Sequence, residues 1–198
     1  ARSAFADGAT AGIGSLPHLD PAAAAAFAIG EFDIATIPTL PRRSPDELMF
    51  GQALAGVQGV TVGADGAIAV DPTSVMPLAS IATDIEHDAF TGLRAFLDLA
   101  GKVRLDGAAV KWQFVGPVTL GVALQRAGLR NTEAFTIAAD AVRHHVAQIS
   151  AAVSDALPTS PQLLLLDEPW LVELMAPEFP IPPDVAVDLI STGMAAVP

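Results

Sequence analysis

The chain of 198 residues contains no cysteine and comparatively few basic residues. Without cysteine, neither a disulfide framework nor a thiolate metal site can form within this sequence. Only 10 lysine and arginine residues stand against 22 aspartate and glutamate residues, which gives a formal net charge of −12. Because binding of a phosphate backbone requires basic patches, the composition predicts no nucleic-acid partner.

Long apolar runs are also absent, although apolar residues make up 52% of the sequence. Charges and prolines interrupt each run before it reaches the length of a membrane span. The alanine-rich stretch 22–29 is too short to cross a bilayer, and no basic region precedes it as in a signal peptide. We therefore expect a cytoplasmic protein with a large core, no membrane partner and small molecules as its substrates.

Four short apolar segments alternate with helix-like stretches along the chain. Strands separated by helices are typical of βαβ units and a parallel sheet. The last of these strands is apolar at every position, so we expect it to be buried on both faces. Between the second and third strands, two alternating runs joined through Asp65-Gly66 predict a β-hairpin. The four predicted core strands are residues 10–16, 34–40, 110–115 and 163–166.

Capping residues and helical periodicity predict the helices. Asp20 can cap a helix that has Pro21 at its first position. No internal repeat or linker is evident, so the chain is predicted to form one domain. His144 and His145, in the middle of the longest helix, are expected at its surface or at the boundary of the core. The predicted helices are residues 22–29, 90–100, 117–127, 131–157 and 183–196.

In parallel α/β proteins, the residues that follow the strands gather at one edge of the sheet. Three strand ends in this chain resemble motifs of cobalamin-independent methionine synthase. Residues 12–17 (GIGSLP) look like its IGSFPQT motif, residues 111–119 (KWQFVGPVT) like its KGMLTGPVT segment, and residues 166–169 (LDEP) like its IDEPAL segment. The motifs occur in the order of that family. Its wider superfamily includes uroporphyrinogen decarboxylase and methylcobamide:coenzyme M methyltransferases.

The resemblance implies an α/β fold of the (β/α)8 TIM-barrel type. A closed barrel needs eight strands and about 250 residues. We therefore expect a partial barrel of about four parallel strands plus the β-hairpin, with residues 1–198 as the N-terminal half of a single methionine-synthase-like barrel. Open sheet edges would remain, so we expect a homo-oligomer or an open half-barrel.

The activity implied by the resemblance is methyl transfer to a thiol such as homocysteine, from a folate or a methylcobalamin protein. In this family a zinc ion binds the thiol as a thiolate, and its ligands are a His-x-Cys pair, a further Cys and a Glu. This chain has no cysteine and no histidine after His145. We therefore expect the zinc ligands of the full-length protein beyond Pro198, and this chain alone to be inactive.

Substrate-binding roles also follow from the resemblance. The turn with Gly14 and Ser15 would hold the carboxylate of the amino acid, and Asp167 its ammonium group. Purely structural roles remain possible for both residues. The Ser15 hydroxyl could stabilise a tight turn, and the Asp167 carboxylate could cap a helix. Four further candidates for substrate binding lie at the same strand ends. Each of them could instead have a structural role, in a hydrogen bond or an ion pair within the chain. They are His18, Arg43, Thr119 and Glu168.

Two other functions remain open at this point. The first is a porphyrinogen decarboxylase that works without a metal, in which Arg42 and Arg43 would grip substrate carboxylates. The second is a non-catalytic binding or assembly module, which the missing set of metal ligands favours.

Overall fold

The computed structural model describes residues 7–75, 81–105 and 107–197, which form an α/β protein. Three short 3₁₀ turns, at Pro45–Glu47, Asp88–Phe90 and Pro169–Glu173, precede or follow the regular elements. The helices and strands in chain order are α1 (Pro21–Gly30), β1 (Ala35–Thr36), α2 (Met49–Leu54), β2 (Val60–Val62), β3 (Ile68–Val70), α3 (Thr91–Lys102), β4 (Val110–Val115), α4 (Pro117–Arg126), α5 (Asn131–Ala156), β5 (Gln162–Asp167) and α6 (Pro183–Met194).

A three-stranded sheet has the order β1-β4-β5. β1 pairs with β4 in parallel, with Ala35 opposite Val110. β5 also runs parallel to β4, because two N–H groups six positions apart in the β4 segment reach two carbonyls six positions apart, in the same order, in the β5 segment. Thus Val110 donates to Pro161 and Gly116 donates to Asp167, both at 2.9 Å. The sheet order follows the chain order, as expected for βαβ connections.

The predicted (β/α)8-type barrel is wrong. The described residues contain the three-stranded parallel sheet and a separate two-stranded hairpin, and these strands form no closed barrel. The predicted strand 10–16 is reduced to two isolated parallel bridges, Ala11 with Ile34 and Ser15 with Thr39. Between them Gly14 has a φ of 128°, which is far from extended geometry and interrupts the ladder.

The second predicted strand is also shorter than expected. Of residues 34–40, only Ala35–Thr36 has regular strand pairing. Pro38 lacks a backbone N–H, so it cannot donate to a neighbouring strand and the ladder ends before it.

The predicted hairpin is confirmed. β2 and β3 pair antiparallel, with Val60 opposite Val70 and Val62 opposite Ile68. The turn has the chemistry that Asp65-Gly66 indicates: an Asp65 carboxylate oxygen accepts the N–H of Ala67 at 3.0 Å, and Gly66 has a φ of 80°.

The chain divides into two compact units, each assembled from three stretches of sequence. The first unit comprises Ala1–Leu48, Ile85–Gln113 and Ile149–Leu165. In its core, α1 packs against α3. Ala24 on α1 and Phe96 on α3 are both fully buried, and small side chains such as Ala24 allow two helices to approach closely.

The second unit comprises Met49–Asp84, Phe114–Gln148 and Leu166–Pro198. Its helix α4 is buried along most of its length and packs against α6. His145 of α5 lies in this core with no exposed surface, and its Nδ1 is 2.8 Å from the hydroxyl of Thr83. The expectation of a surface or boundary position for His145 is therefore wrong, because the packed face of α5 is wider than its apolar stripe.

The strand β5 is less buried than its sequence predicts. Its leucines are half-buried or exposed, and Leu165 has 40% of its surface accessible. β5 is the last strand in the sheet order, which explains why the expected burial on both faces is wrong.

Among the helices that the structure describes, none is both long enough and apolar enough to cross a membrane.

Candidate functional site

The first motif forms a tight turn whose backbone carbonyl groups bind a buried lysine. We call residues 12–15 the glycine turn. The ammonium group of Lys111 donates hydrogen bonds to the carbonyl oxygen of Gly12 at 3.1 Å and to the carbonyl oxygen of Ile13. It also donates to Oε1 of Gln113 at 2.7 Å. Since Lys111 is only 3% exposed, these carbonyl dipoles replace the water that a buried charge loses.

Gly14 is the residue that permits this conformation. Its φ of 128° lies in a region that side chains with a Cβ rarely adopt. A Cβ at this position would also lie 3.2 Å from the side-chain carbonyl carbon of Gln113. The first and second motifs therefore contact each other within the first unit.

Ser15 is exposed at the end of the glycine turn. Its hydroxyl lies 3.2 Å from the hydroxyl of Thr39, and the backbone of the same two residues forms a parallel bridge. The serine is thus anchored by the neighbouring segment while its side chain stays accessible to a ligand.

His18 lies three residues beyond the turn and is half-buried. Its ring packs on the ring of Phe27, with centroids 5.3 Å apart. Its buried Nδ1 has no hydrogen-bond partner among the described residues.

In the second unit, Glu168 caps the N-terminus of helix α4, although it is distant from that helix in sequence. Its two carboxylate oxygens accept the backbone N–H groups of Val118 at 2.9 Å and Thr119 at 2.6 Å. A negative charge at a helix N-terminus satisfies free N–H groups and interacts favourably with the helix dipole. Burial nevertheless raises the pKa of Glu168, and the hydrogen bonds from the Thr119 side chain and the α4 backbone only partly offset this effect.

Gly116 and Thr119 complete the cap. A Cβ at Gly116 would overlap the Glu168 carboxylate, so only glycine leaves room for it. The buried Thr119 hydroxyl accepts the N–H of Trp170 at 3.4 Å. Asp167, the half-buried last residue of β5, accepts the Gly116 N–H through its backbone carbonyl at 2.9 Å. The second and third motifs therefore contact each other within the second unit.

Arg43 belongs to a separate network in the first unit. Its Nε donates to Glu47 at 2.9 Å, and its guanidinium also pairs with the Asp88 carboxylate at 2.7 Å. Glu47 is 1% exposed and also accepts the N–H of Leu40 at 2.8 Å. Burial raises the pKa of Glu47, and the hydrogen bond from Arg43 opposes that shift.

The predicted site residues thus fall into three groups. Gly14, Ser15 and His18 lie on or next to the glycine turn, and Thr119, Asp167 and Glu168 lie in the second unit. Arg43 takes part in the ion-pair network with Glu47.

Lys111 and Gln113 were not among the candidates, since core packing is the default for a residue on an apolar strand. A signal was present. Lysine is almost never fully buried unless its charge is paired or solvated by dipoles, so a lysine within the apolar strand 110–115 indicates a dedicated set of acceptors.

Two pockets on the second unit lie apart from the predicted residues. One, of about 450 Å³, is lined by Phe135, Ile181 and neighbouring residues of α5 and α6. The other, of about 280 Å³, includes Trp170 and Arg126, whose guanidinium lies 3.7 Å from the centre of the Trp170 ring. Neither is lined by any of the seven candidate residues.

The zinc site that the resemblance implies has no counterpart in the described residues. They contain no group of three or more His, Cys, Asp or Glu side chains that could hold a metal ion. The chain also lacks the cysteines of the family's ligand set. These residues do not fit a zinc ion.

Comparison of the chain with protein-family models, with curated proteins and with solved structures finds no match.

Proposed function

We propose that this chain takes part in methyl transfer to the thiol of a small amino acid such as homocysteine, and that it supplies residues that bind the amino acid. One observation carries the proposal. Lys111, at the start of the second motif, binds the backbone of Gly12 and Ile13 in the first motif, so two motifs that resemble cobalamin-independent methionine synthase support one turn.

The chemistry assigned to these residues is positioning. The Ser15 hydroxyl, held by Thr39, binds the carboxylate of the amino acid, and Asp167 binds its ammonium group, as the resemblance implies. A carboxylate held at Ser15 fixes the orientation of the amino acid before its sulfur meets the methyl donor. The methyl donor in this proposal is a folate or a methylcobalamin protein.

No step of this proposal passes through zinc, because the described residues do not fit the ion. Zinc assistance stays a prediction, in which the zinc ligands are residues outside the described part of the chain.

The decarboxylase alternative has less support. It requires two arginines that are available to substrate carboxylates, whereas only Arg42 is exposed and the guanidinium of Arg43 already binds Glu47 and Asp88. Removing it from Glu47 would leave a buried carboxylate without its cation, which is costly.

Isothermal titration calorimetry of the chain with L-homocysteine and L-methionine tests the proposal. We expect both to bind, and Ser15→Ala and Asp167→Asn each to weaken binding by about tenfold, the value of one lost hydrogen bond to a charged group. Ser191→Ala and Asp188→Asn, at exposed positions of α6, are the matched controls and should bind as the wild type does. Absence of binding at millimolar ligand would overturn the proposal and favour a non-catalytic module.

A further inference from the structure

We propose that the groove between α5 and α6 binds a small molecule that has an ammonium group and an apolar body, and that Asp140 receives the ammonium group. The inference does not rest on the proposed function, because the groove is lined by none of the residues assigned to the amino acid.

The packing of α6 creates the groove. Near its C-terminal end α6 lies close to α5, since a Cβ at Gly193 would be 3.5 Å from the Val142 side chain. About two turns earlier, Val185 lines a cavity of about 450 Å³ that residues of α5 also line, and 39% of Val185 is exposed. The two helices therefore leave an open space between them toward the N-terminus of α6.

The apolar floor of this groove is part of the core. Phe135 of α5 is 6% exposed, and its ring lies against Gly121 of α4, where a Cβ would overlap it. Ile181, which precedes α6, is also buried. Because close packing holds these side chains in place, the cavity exists before any ligand arrives. A volume of this size, lined mainly by apolar side chains with a few polar groups, is typical of sites for small molecules.

The charge at the groove selects the ligand. Among the described residues that line it, Asp140 is the one charged side chain, and 34% of it is exposed. Asp140 pairs at 3.0 Å with Arg143, which is itself 47% exposed. An exposed pair of this kind contributes little free energy, so the ammonium group of a ligand can replace Arg143 at small cost. Both Asp140 and the net charge of −12 disfavour an anionic ligand.

The two parts of the ligand have separate roles in this site. Its apolar body covers Val185 and Leu189 of α6, and the removal of this surface from water supplies most of the affinity. Its ammonium group donates to the Asp140 carboxylate and thereby distinguishes a cation from a neutral molecule of the same shape.

Nuclear magnetic resonance of the methyl-labelled wild-type chain tests the inference with hexylammonium, hexanol and hexanoate, which share one apolar chain. We expect hexylammonium to shift the methyl signals of Ile181, Val185 and Leu189 to saturation. Hexanol should bind about three- to fivefold more weakly, and hexanoate more weakly still. Butylammonium should bind about tenfold more weakly than hexylammonium, because each buried methylene group is worth about fourfold in affinity.

Two variants assign the roles within the groove. Asp140→Asn should bind hexylammonium and hexanol equally. Asp155→Asn is the matched control, because Asp155 is an exposed carboxylate of the same helix that does not line the groove, and it should keep the preference of the wild type. Ala139→Leu places a larger side chain in the groove and should abolish the binding of hexylammonium.

The wild-type measurements do not depend on how a variant folds. If hexylammonium leaves these methyl signals in place, or if hexanoate binds as tightly as hexylammonium, the ammonium site is overturned. Equal binding of hexanol and hexylammonium would also overturn it and would indicate an apolar surface for a protein partner. A folded Asp140→Asn chain that still prefers hexylammonium would overturn the role of Asp140.

Discussion

The carboxylate of Glu168 accepts the backbone N–H of Thr119 at 2.6 Å, although the two residues are separated by 49 positions in the chain. This contact joins the segment after β5 to the first turn of α4. It also brings a carboxylate into a partly buried site, where burial opposes its ionisation and the helix N–H groups favour it.

This balance predicts a pH-dependent stability. Because burial raises the pKa of Glu168 in the folded chain, the folded chain binds the proton more tightly than the unfolded chain does. The stability from this group is full below the ordinary glutamate value of 4.5 and is lost as the pH rises through the higher folded-state pKa. Glu168→Gln does not titrate, so the stability of the wild type relative to this variant should fall as the pH rises above the ordinary glutamate value of 4.5 toward neutrality.

Urea unfolding of both chains across that range measures the difference, with Glu178→Gln at an exposed position as control. A difference that grows with pH would mean that the hydrogen bonds from α4 outweigh burial.

Gly116→Ala should destabilise the chain by about 1–3 kcal/mol, because the new methyl group overlaps the Glu168 carboxylate and forces it from the α4 N-terminus. Gly101→Ala is the matched control. It lies in α3 with open space around it and should stabilise the chain by about 0.5–1 kcal/mol through its higher helix propensity. Thermal unfolding followed by circular dichroism measures both, and equal effects of the two substitutions would contradict the cap.

Arg43→Met should cost about 3–5 kcal/mol near neutral pH, because it leaves Glu47 buried without its cation. The cost should shrink in acid, where Glu47 becomes protonated. Arg42→Met, at the exposed neighbouring position, should change stability by less than about 0.5 kcal/mol. Chemical denaturation compares the two, and a near-neutral Arg43→Met chain would return this arginine to the list of ligand-binding candidates.

The homo-oligomer predicted from the sequence has a direct test at β5. Among the described residues this strand ends the sheet order, and 40% of Leu165 is exposed, so its outer edge offers a place for strand pairing and an apolar side chain to a second copy. Multi-angle light scattering should give more than the mass of a single chain. Leu165→Lys should shift the mass toward one chain, while Val103→Lys, at an exposed position outside the sheet, should not. A wild-type mass of one chain at all concentrations would contradict the prediction.

Short sequence patterns correctly predicted the features that depend on residues adjacent in sequence, such as helix caps and turns. Asp20 and Pro21 begin α1 as expected, with the Asp20 carboxylate accepting the N–H of Ala22 at 3.0 Å. The hairpin follows from Asp65-Gly66 for the same reason, since a turn is determined by the residues within it.

Long-range contacts could not be predicted in this way. The hydrogen bond between Lys111 and Gly12 spans 99 positions, and no periodicity in either segment indicates it. The exposure of β5 depends on the absence of a further described strand beside it, whereas its apolar sequence indicates only that the strand can be buried. Whether strands close into a barrel depends on the pairing of the whole sheet, which short motifs do not determine. The prediction of a barrel from the order of the motifs was therefore wrong.

The central claim is that the glycine turn binds the carboxylate of an amino acid. A crystal structure of the chain with L-methionine at saturating concentration tests it most directly. The account predicts a carboxylate oxygen within hydrogen-bond distance of Ser15 Oγ, with Lys111 still bound to the carbonyl oxygens of Gly12 and Ile13. A turn without ligand, or L-methionine bound only at other residues, would contradict the account.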